Sequence, residues 1–323
     1  KISSNELMEL AGEILEKLRK EYSDFDFSER INTKEISCTM KNTQGLDLEY
    51  KDAYMSLGLI LKEKKSANVF DGFLQYYGRS FDLDKFWEFN EELLAAYRKK
   101  VSLPEGERLP VFMLEFYELE NFLSRSLNGE LYATGSSLFS NKIGEQLFNE
   151  KITIQQNRDP QHMPQPFFDM EGVVLKGDAY NLIEKGKLVN VYTDKRTAHT
   201  YNLPHTGAAS GAYDGIPTLS RAPLRFVVDS DDIKAALDGQ MAILVAVSSG
   251  GDFTSDGSFA APVQVGFLFD GQRILGKLPE FTMRSHLYKL LGEDYIGTFP
   301  NKHLYVGEGT LIQGYYMDIV RQD

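Results

Sequence analysis

Two carboxylates two positions apart, in the run Phe168-Asp169-Met170-Glu171-Gly172, are the best arranged residues of this chain for acid–base work or for holding a cation. On an extended backbone alternate side chains share a face, so Asp169 and Glu171 would meet there and push each other's pKa values apart. Gly172 frees the chain to turn directly afterwards. Acids beside a turn glycine more often accept hydrogen bonds from backbone N–H groups, and that structural role is the expectation here. His205, in Pro204-His205-Thr206-Gly207, has the chemistry of a general base, but no nucleophile is fixed beside it in sequence. A loop histidine without a catalytic part is expected, and His199, on a short helix, is expected to be an ordinary surface or core residue.

Other site chemistries find little support. The five histidines are His162, His199, His205, His286 and His303, and no two have the i, i+4 or i, i+5 spacing that puts both on one helix face to hold zinc. The stretch Gly250-Gly251-Asp252-Phe253-Thr254-Ser255-Asp256-Gly257 lacks the Gly-Lys-Ser/Thr ending of a phosphate loop and reads as a connection between strands. There is no G-x-S-x-G elbow and no C-x-x-C pair. The single cysteine, Cys38, cannot form an internal disulfide and is expected as a small buried hydrophobe on the apolar side of its strand.

The elements that must position these residues are legible around them. Residues 180–184 and 187–193 are β-prone runs joined at Lys185-Gly186, which predicts a tight hairpin. Asp194 is placed to cap a helix over 195–201, and the chain leaves through the glycine-containing loop at 204–207. Upstream, Ser3 and Glu6 match a capping box for a helix reaching Lys20, with Leu7, Leu10, Ile14 and Leu18 at helical spacing. Alternating runs at 25–31, 36–40 and 46–50 predict strands, with a turn at 42–45. Asp82 or Asp84 can cap a helix to Arg98, 101–109 reads as a surface connection, and 111–114 as a strand before a helix that ends near Asn128-Gly129. Later come strands at 224–228, 241–247, 258–269 and 272–275, a helix at 231–237, a helix over 286–291 capped by Thr282, and strands at 304–306 and 311–320. The predicted fold class is α+β: an N-terminal α/β unit, residues 1–109, followed by a strand-rich, barrel-like or sandwich-like C-terminal unit, residues 110–323.

The order FD-x-EGV, LIEKGKL, a D-x-x-TA helix and a TG loop, over residues 168–207, resembles the TldD/PmbA family, also named modulators of DNA gyrase. The resemblance extends upstream through Gly135-Ser136-Ser137-Leu138-Phe139, Ile143-Gly144-Glu145, Ile152-Thr153-Ile154 and Asp159-Pro160, and Asn42-Thr43-Gln44-Gly45-Leu46 looks like the family's N-S-x-G segment. The α/β segment that usually precedes that piece is absent and the chain opens at Lys1, as in a fragment or a short member.

The family resemblance implies a peptidase context. In the TldD branch a helix carries H-E-x-x-x-H, which holds zinc and supplies a general base. The corresponding stretch here, Glu118-Leu119-Glu120-Asn121-Phe122-Leu123-Ser124-Arg125, has no histidine, and this departure resembles the PmbA (TldE) branch. The resemblance therefore implies a non-catalytic subunit without metal or other cofactor, paired with a TldD-type zinc subunit, or with itself when isolated, that helps hold an unfolded peptide. Asp169, Glu171, Gly172, His205, Thr206 and Gly207 are the candidates for the substrate groove, with no catalytic residue assigned. The alternative is an independent hydrolase using Asp169 and Glu171.

Composition narrows the partners. The chain has 323 residues, 42% hydrophobic and 25% charged, and no apolar run approaching the ~20 residues that span a bilayer. A formal charge of −12 opposes direct contact with phosphate backbones, so neither nucleic acid nor membrane is expected as a partner, whatever the gyrase-linked family name. One cysteine and no signal-peptide pattern lead to a cytoplasmic expectation.

Overall fold

A computed structural model describes residues 4–67, 71–114, 116–220, 223–307 and 309–321. The expected Ser3 cap lies outside the described residues. The first helix, α1 (Ser4–Glu21), buries Ile14 and Leu18 on its apolar stripe. It is followed by an antiparallel sheet of β1 (Phe25–Lys41), β2 (Asp47–Glu63) and β3 (Gly72–Gly78), then by α2 (Leu83–Arg98). Asp82 is the cap, its Oδ1 accepting from the Lys85 N–H at 3.1 Å.

The runs expected as three strands are two strands of 17 residues each. The alternation at 32–35 breaks because these residues are exposed, so no core demands an apolar side chain there. Their turn is closed by Asn42, whose Oδ1 accepts from the N–H groups of Gln44 and Leu46 at 2.9 and 3.0 Å. Because β3 pairs only with residues 55–61 of β2, the rest of the β1–β2 hairpin protrudes as a two-stranded arm. Cys38 lies on this arm and is only half-buried, because a two-stranded ribbon offers no thick core to cover it.

The remainder runs β4 (Arg108–Met113), α3 (Tyr117–Ser126), α4 (Gly129–Ala133), β5 (Ile154–Asn157), β6 (Ala179–Glu184), β7 (Lys187–Leu188), α5 (Lys195–Tyr201), β8 (Ala209–Ser210), β9 (Thr218–Leu219) and β10 (Leu224–Phe226). Then come α6 (Ile233–Leu237), β11 (Ala242–Ser248), β12 (Asp252–Phe253), β13 (Ser258–Phe269), β14 (Ile274–Lys277), β15 (Phe281–His286), α7 (Leu287–Leu290), β16 (Tyr295–Pro300) and β17 (Leu311–Arg321). Strands β4, β11, β13, β15 and β17 pair in a ring, β4 with β11 in parallel and the others antiparallel, which closes a five-stranded barrel. The expected α+β class with a barrel-like second half is thus the observed one.

Alternation along the barrel strands separates two cores. Val111, Met113, Val263, Phe281, Met283 and Tyr315 belong to one apolar cluster. Phe112, Phe267, Phe269 and Phe299 belong to the other, which they share with α1 and α2. The Tyr97 ring of α2 meets Phe267 edge-on, with centroids 4.9 Å apart.

Two expectations are corrected in the last third. Thr282 does not cap a helix: it lies inside β15, opposite Val320, because Phe281 and Met283 on either side are drawn into the core. The cap of α7 is His286, whose Nδ1 accepts from the Tyr288 N–H at 3.3 Å. Residues 304–306 form no strand; the Val306 carbonyl instead accepts from the Tyr77 N–H at 3.0 Å, and the strand in this region is β16.

Candidate functional site

The site residues sit beside a four-stranded sheet of order β10-β5-β6-β7. Its hairpin turns at Lys185 and Gly186, both at positive φ (47° and 76°), as a two-residue turn between right-twisted strands requires. A Cβ at 186 would fall 2.2 Å from the Phe148 carbonyl, so the position needs glycine twice over. Asp194 caps α5, its Oδ1 accepting from the Thr197 N–H at 2.7 Å.

The backbone at Asp169 and Glu171 is a turn, not the extended run expected from the sequence. The Asp169 N–H donates to the Val173 carbonyl and the Gly172 N–H to the Asp169 carbonyl, at 3.2 and 3.1 Å, with Gly172 at φ +75°. The cause is the Asp169 carboxylate, 2% exposed, which gathers backbone donors around itself. Its Oδ1 accepts from the N–H groups of Glu171 and Val173, both at 2.9 Å, and its Oδ2 from that of Ala209 at 3.1 Å. Two of these charge-assisted bonds close the turn on itself, and the third ties it to the chain beyond Gly207.

Glu171 reaches the start of α5, where its Oε2 accepts from the Lys195 N–H at 3.0 Å, while Lys195 Nζ donates back to the Glu171 carbonyl at 3.0 Å. His205 Nε2 lies 3.5 Å from the same Oε2. Ligand atoms of Asp169, Glu171 and His205 all fall within 4.8 Å of one another, so the two carboxylates and the imidazole form a set that could hold a divalent cation. Nearby, burial lowers the pKa of the Arg158 guanidinium against the opposing pull of Asp169, and its Nε is buried without a hydrogen-bond partner.

Thr206 and Gly207 are fixed from below by a residue that sequence reading missed. Gln156, fully buried on β5, donates through Nε2 to the carbonyls of Thr206 and Gly207 at 2.6 and 3.1 Å. The Thr206 hydroxyl accepts from the Thr193 N–H at 2.8 Å, and the Thr206 N–H donates to Thr193 Oγ1 at 3.2 Å. The signal was present in Ile154-Gln155-Gln156-Asn157: a glutamine at the strand's inward position needs a polar partner. Gly207, at φ +67°, would place a Cβ 2.8 Å from Val173 Cγ1, so only glycine lets the loop cross the turn.

The arm of the first sheet also arrives here. Leu46, at the end of the turn from Asn42 to Gly45, and Met40 both lie against Gly172. Farther along, Arg79 clamps Asp52 on β2 and donates to the Pro160 carbonyl, which ties the arm to the loop before the site. Helix α3 is separate. It buries Leu119 and Leu123, while Tyr117 and Glu118 in its first turn line a cavity of about 730 Å³ between the first sheet and the barrel. None of the five histidines lies on it. His162 is near Asp159, His199 is exposed on α5, and His303 packs edge-on against Phe269.

The profile of the PmbA/TldA metallopeptidase C-terminal domain matches residues 116–298, more than half of the chain and all of the site. The chain belongs to the TldD/PmbA family. An uncharacterized protein of Methanocaldococcus jannaschii is 24% identical over 243 residues, which cover 72% of this chain and 55% of that protein, so the chain spans about half the length of this relative. TldE from Thermococcus kodakarensis matches 99% of this chain and 75% of its own at a TM-score of 0.74 and 18% identity. A candidate modulator of DNA gyrase from Bacteroides thetaiotaomicron matches 99% and 72%, at 0.76 and 15%. At such identities the TldD/PmbA likeness to solved structures is a likeness of fold.

Proposed function

We propose that this chain is a non-catalytic, TldE-like subunit of a TldD-type metallopeptidase assembly acting on unfolded peptides. The observation that carries the reading is α3. In a family whose metallopeptidase members place zinc-binding histidines on the corresponding helix, residues 117–126 here offer two leucines to the core and carry no histidine or cysteine. A subunit of this kind contributes by shaping the site of another. The turn at Asp169, the loop at His205–Gly207 and the tip of the arm then form part of a groove wall, with main-chain groups available to peptides of varied sequence.

A second reading, an independent hydrolase, rests on the convergence of Asp169, Glu171 and His205. Against it stand the three N–H groups already bonded to Asp169, which give that carboxylate a structural role in the turn. The two readings separate in one experiment: sedimentation and peptidase assay of this chain alone, and mixed with an H-E-x-x-x-H subunit from the same source. A complex with activity only in the mixture supports the subunit. Activity in the isolated chain that Glu171→Gln abolishes supports the hydrolase.

A further inference from the structure

A second cavity, of about 850 Å³, opens where the barrel meets the end of β2 and the connection after α2. Lys277, the last residue of β14, forms part of its wall and is 9% exposed. Its Nζ donates to the backbone carbonyl of Asp71 at 3.2 Å and lies 5.7 Å from the centre of the Tyr97 ring. Among the described residues it has no ion pair. Asp71 directs its own carboxylate to the Glu63 N–H and the Ser66 hydroxyl, at 2.8 and 2.7 Å. Glu63 in turn accepts from Lys100 at 3.3 Å.

Burial first, and then repulsion from Lys100, lower the pKa of the Lys277 amine below the ordinary lysine value; Asp71, Glu63 and Glu280 oppose the shift without cancelling it. A desolvated lysine beside a second cation keeps more of its amine neutral and therefore nucleophilic. Lys65 and Arg321 also line the cavity, and among the described residues neither is within ion-pair distance of a carboxylate; Arg321 Nη2 donates to the carbonyls of Pro104 and Gly106 at 2.5 and 3.1 Å, which fixes the guanidinium in place. The cavity thus sets a buried amine beside two cations, Lys65 and Arg321, that have no carboxylate partner among the described residues, while Glu63, Asp71 and Glu280 in the same wall balance the formal charge when Lys277 is neutral.

We propose that Lys277 is a nucleophilic amine that condenses with a small aldehyde bearing an anionic group, held in this cavity by Lys65 and Arg321. The amine nitrogen attacks the carbonyl carbon and the C–N bond forms. The carbonyl oxygen leaves as water with both amine protons, giving an imine without any oxidant or reductant. This chemistry is independent of the site around Asp169.

The test is reductive trapping on the full chain at pH 7. Limiting glyoxylate is added with cyanoborohydride, which delivers hydride to an imine and fixes it as a secondary amine, and the labelled lysines are mapped by peptide mass spectrometry. Lys277 is expected to be labelled severalfold faster than the exposed Lys51 and Lys187, because burial and Lys100 lower its pKa and leave more of the amine neutral at pH 7. Propionaldehyde, without the anion, should lose most of that preference. Lys100→Gln, a change at an exposed residue, should move the pH midpoint of Lys277 labelling upward and slow it at pH 7, with an unchanged circular dichroism spectrum. Labelling of Lys277 no faster than that of Lys51 overturns the nucleophile. Equal selectivity for glyoxylate and propionaldehyde overturns the anionic ligand, and a pH midpoint unmoved in Lys100→Gln overturns the part given to Lys100.

Discussion

Leu46 occupies the space that a side chain at position 172 would need: a Cβ built on Gly172 falls 2.6 Å from Leu46 Cδ2 and 3.2 Å from Met40 Sδ. Two segments some 125 residues apart in sequence, each resembling a motif of the TldD/PmbA family, therefore meet in space, the arm's turn on the turn that carries Asp169 and Glu171.

That contact predicts a coupled pair. Gly172→Ala should destabilise the fold by about 2 kcal/mol, from a left-handed backbone forced on a residue with a Cβ and from crowding against Leu46. Leu46→Ala should recover the crowding part but not the backbone part. Urea denaturation of the two single variants and the double variant measures the coupling. Strict additivity would mean that the arm does not rest on the turn.

Asp169 and Glu171 should differ in what their loss costs. Asp169→Ala strands three backbone donors in a buried turn and should cost about 3 kcal/mol, whereas Glu171→Ala removes one bond to the start of α5 and should cost about 1 kcal/mol. Thermal and urea unfolding give both numbers. A melting temperature left intact in Asp169→Ala, together with loss of an activity of the isolated chain, would make the carboxylate catalytic instead.

The Asp52–Arg79 clamp should let go in acid. Burial raises the Asp52 pKa, but the hydrogen bonds from Arg79 and Tyr50 outweigh it, and the folded-state value is lowered overall. A carboxylate lowered on folding contributes stability that is complete above its unfolded pKa of about 3.9 and is lost as pH falls through the folded value. The melting temperature should therefore fall below about pH 4. Asp52→Asn should be less stable at pH 7 and show a shallower acid limb. Parallel acid limbs would remove the clamp from the account.

The isolated chain is expected to contain far less than one equivalent of zinc and to cleave no unfolded peptide. Elemental analysis with a peptidase assay, before and after chelation, checks both statements. Zinc near one equivalent, lost together with activity on chelation, would refute the subunit reading and point to the group formed by Asp169, Glu171 and His205.

What the sequence disclosed is what short-range rules govern. Lys185-Gly186 specifies its hairpin, Asp194 its helix and residues 258–269 their strand, because each depends on neighbours within a few positions. At Asp169 the nearby N–H groups of Glu171 and Val173 close the turn, and what the sequence hid is its anchor, the Ala209 N–H forty residues away. Gln156 was overlooked for the same reason, since its partners at Thr206 and Gly207 come from another stretch of chain. His286 was not foreseen as a cap because Thr282 is the more usual residue for that role, and only the pull of Phe281 and Met283 into the core removes it.

The ring order of the barrel also has a bearing on how the molecule is made. Strand β4 has β11 on one side and β17 on the other, so its partners lie roughly 130 and 200 residues downstream. A nascent chain therefore exposes both edges of β4 through most of translation, and the ring can close only when β17 has left the ribosome. Pairing over such separations makes folding slow, and the open edges are the part of the molecule most exposed to misassembly in the interval. Substitutions in β17 should accordingly lower the yield of folded protein more than their effect on the finished barrel would indicate.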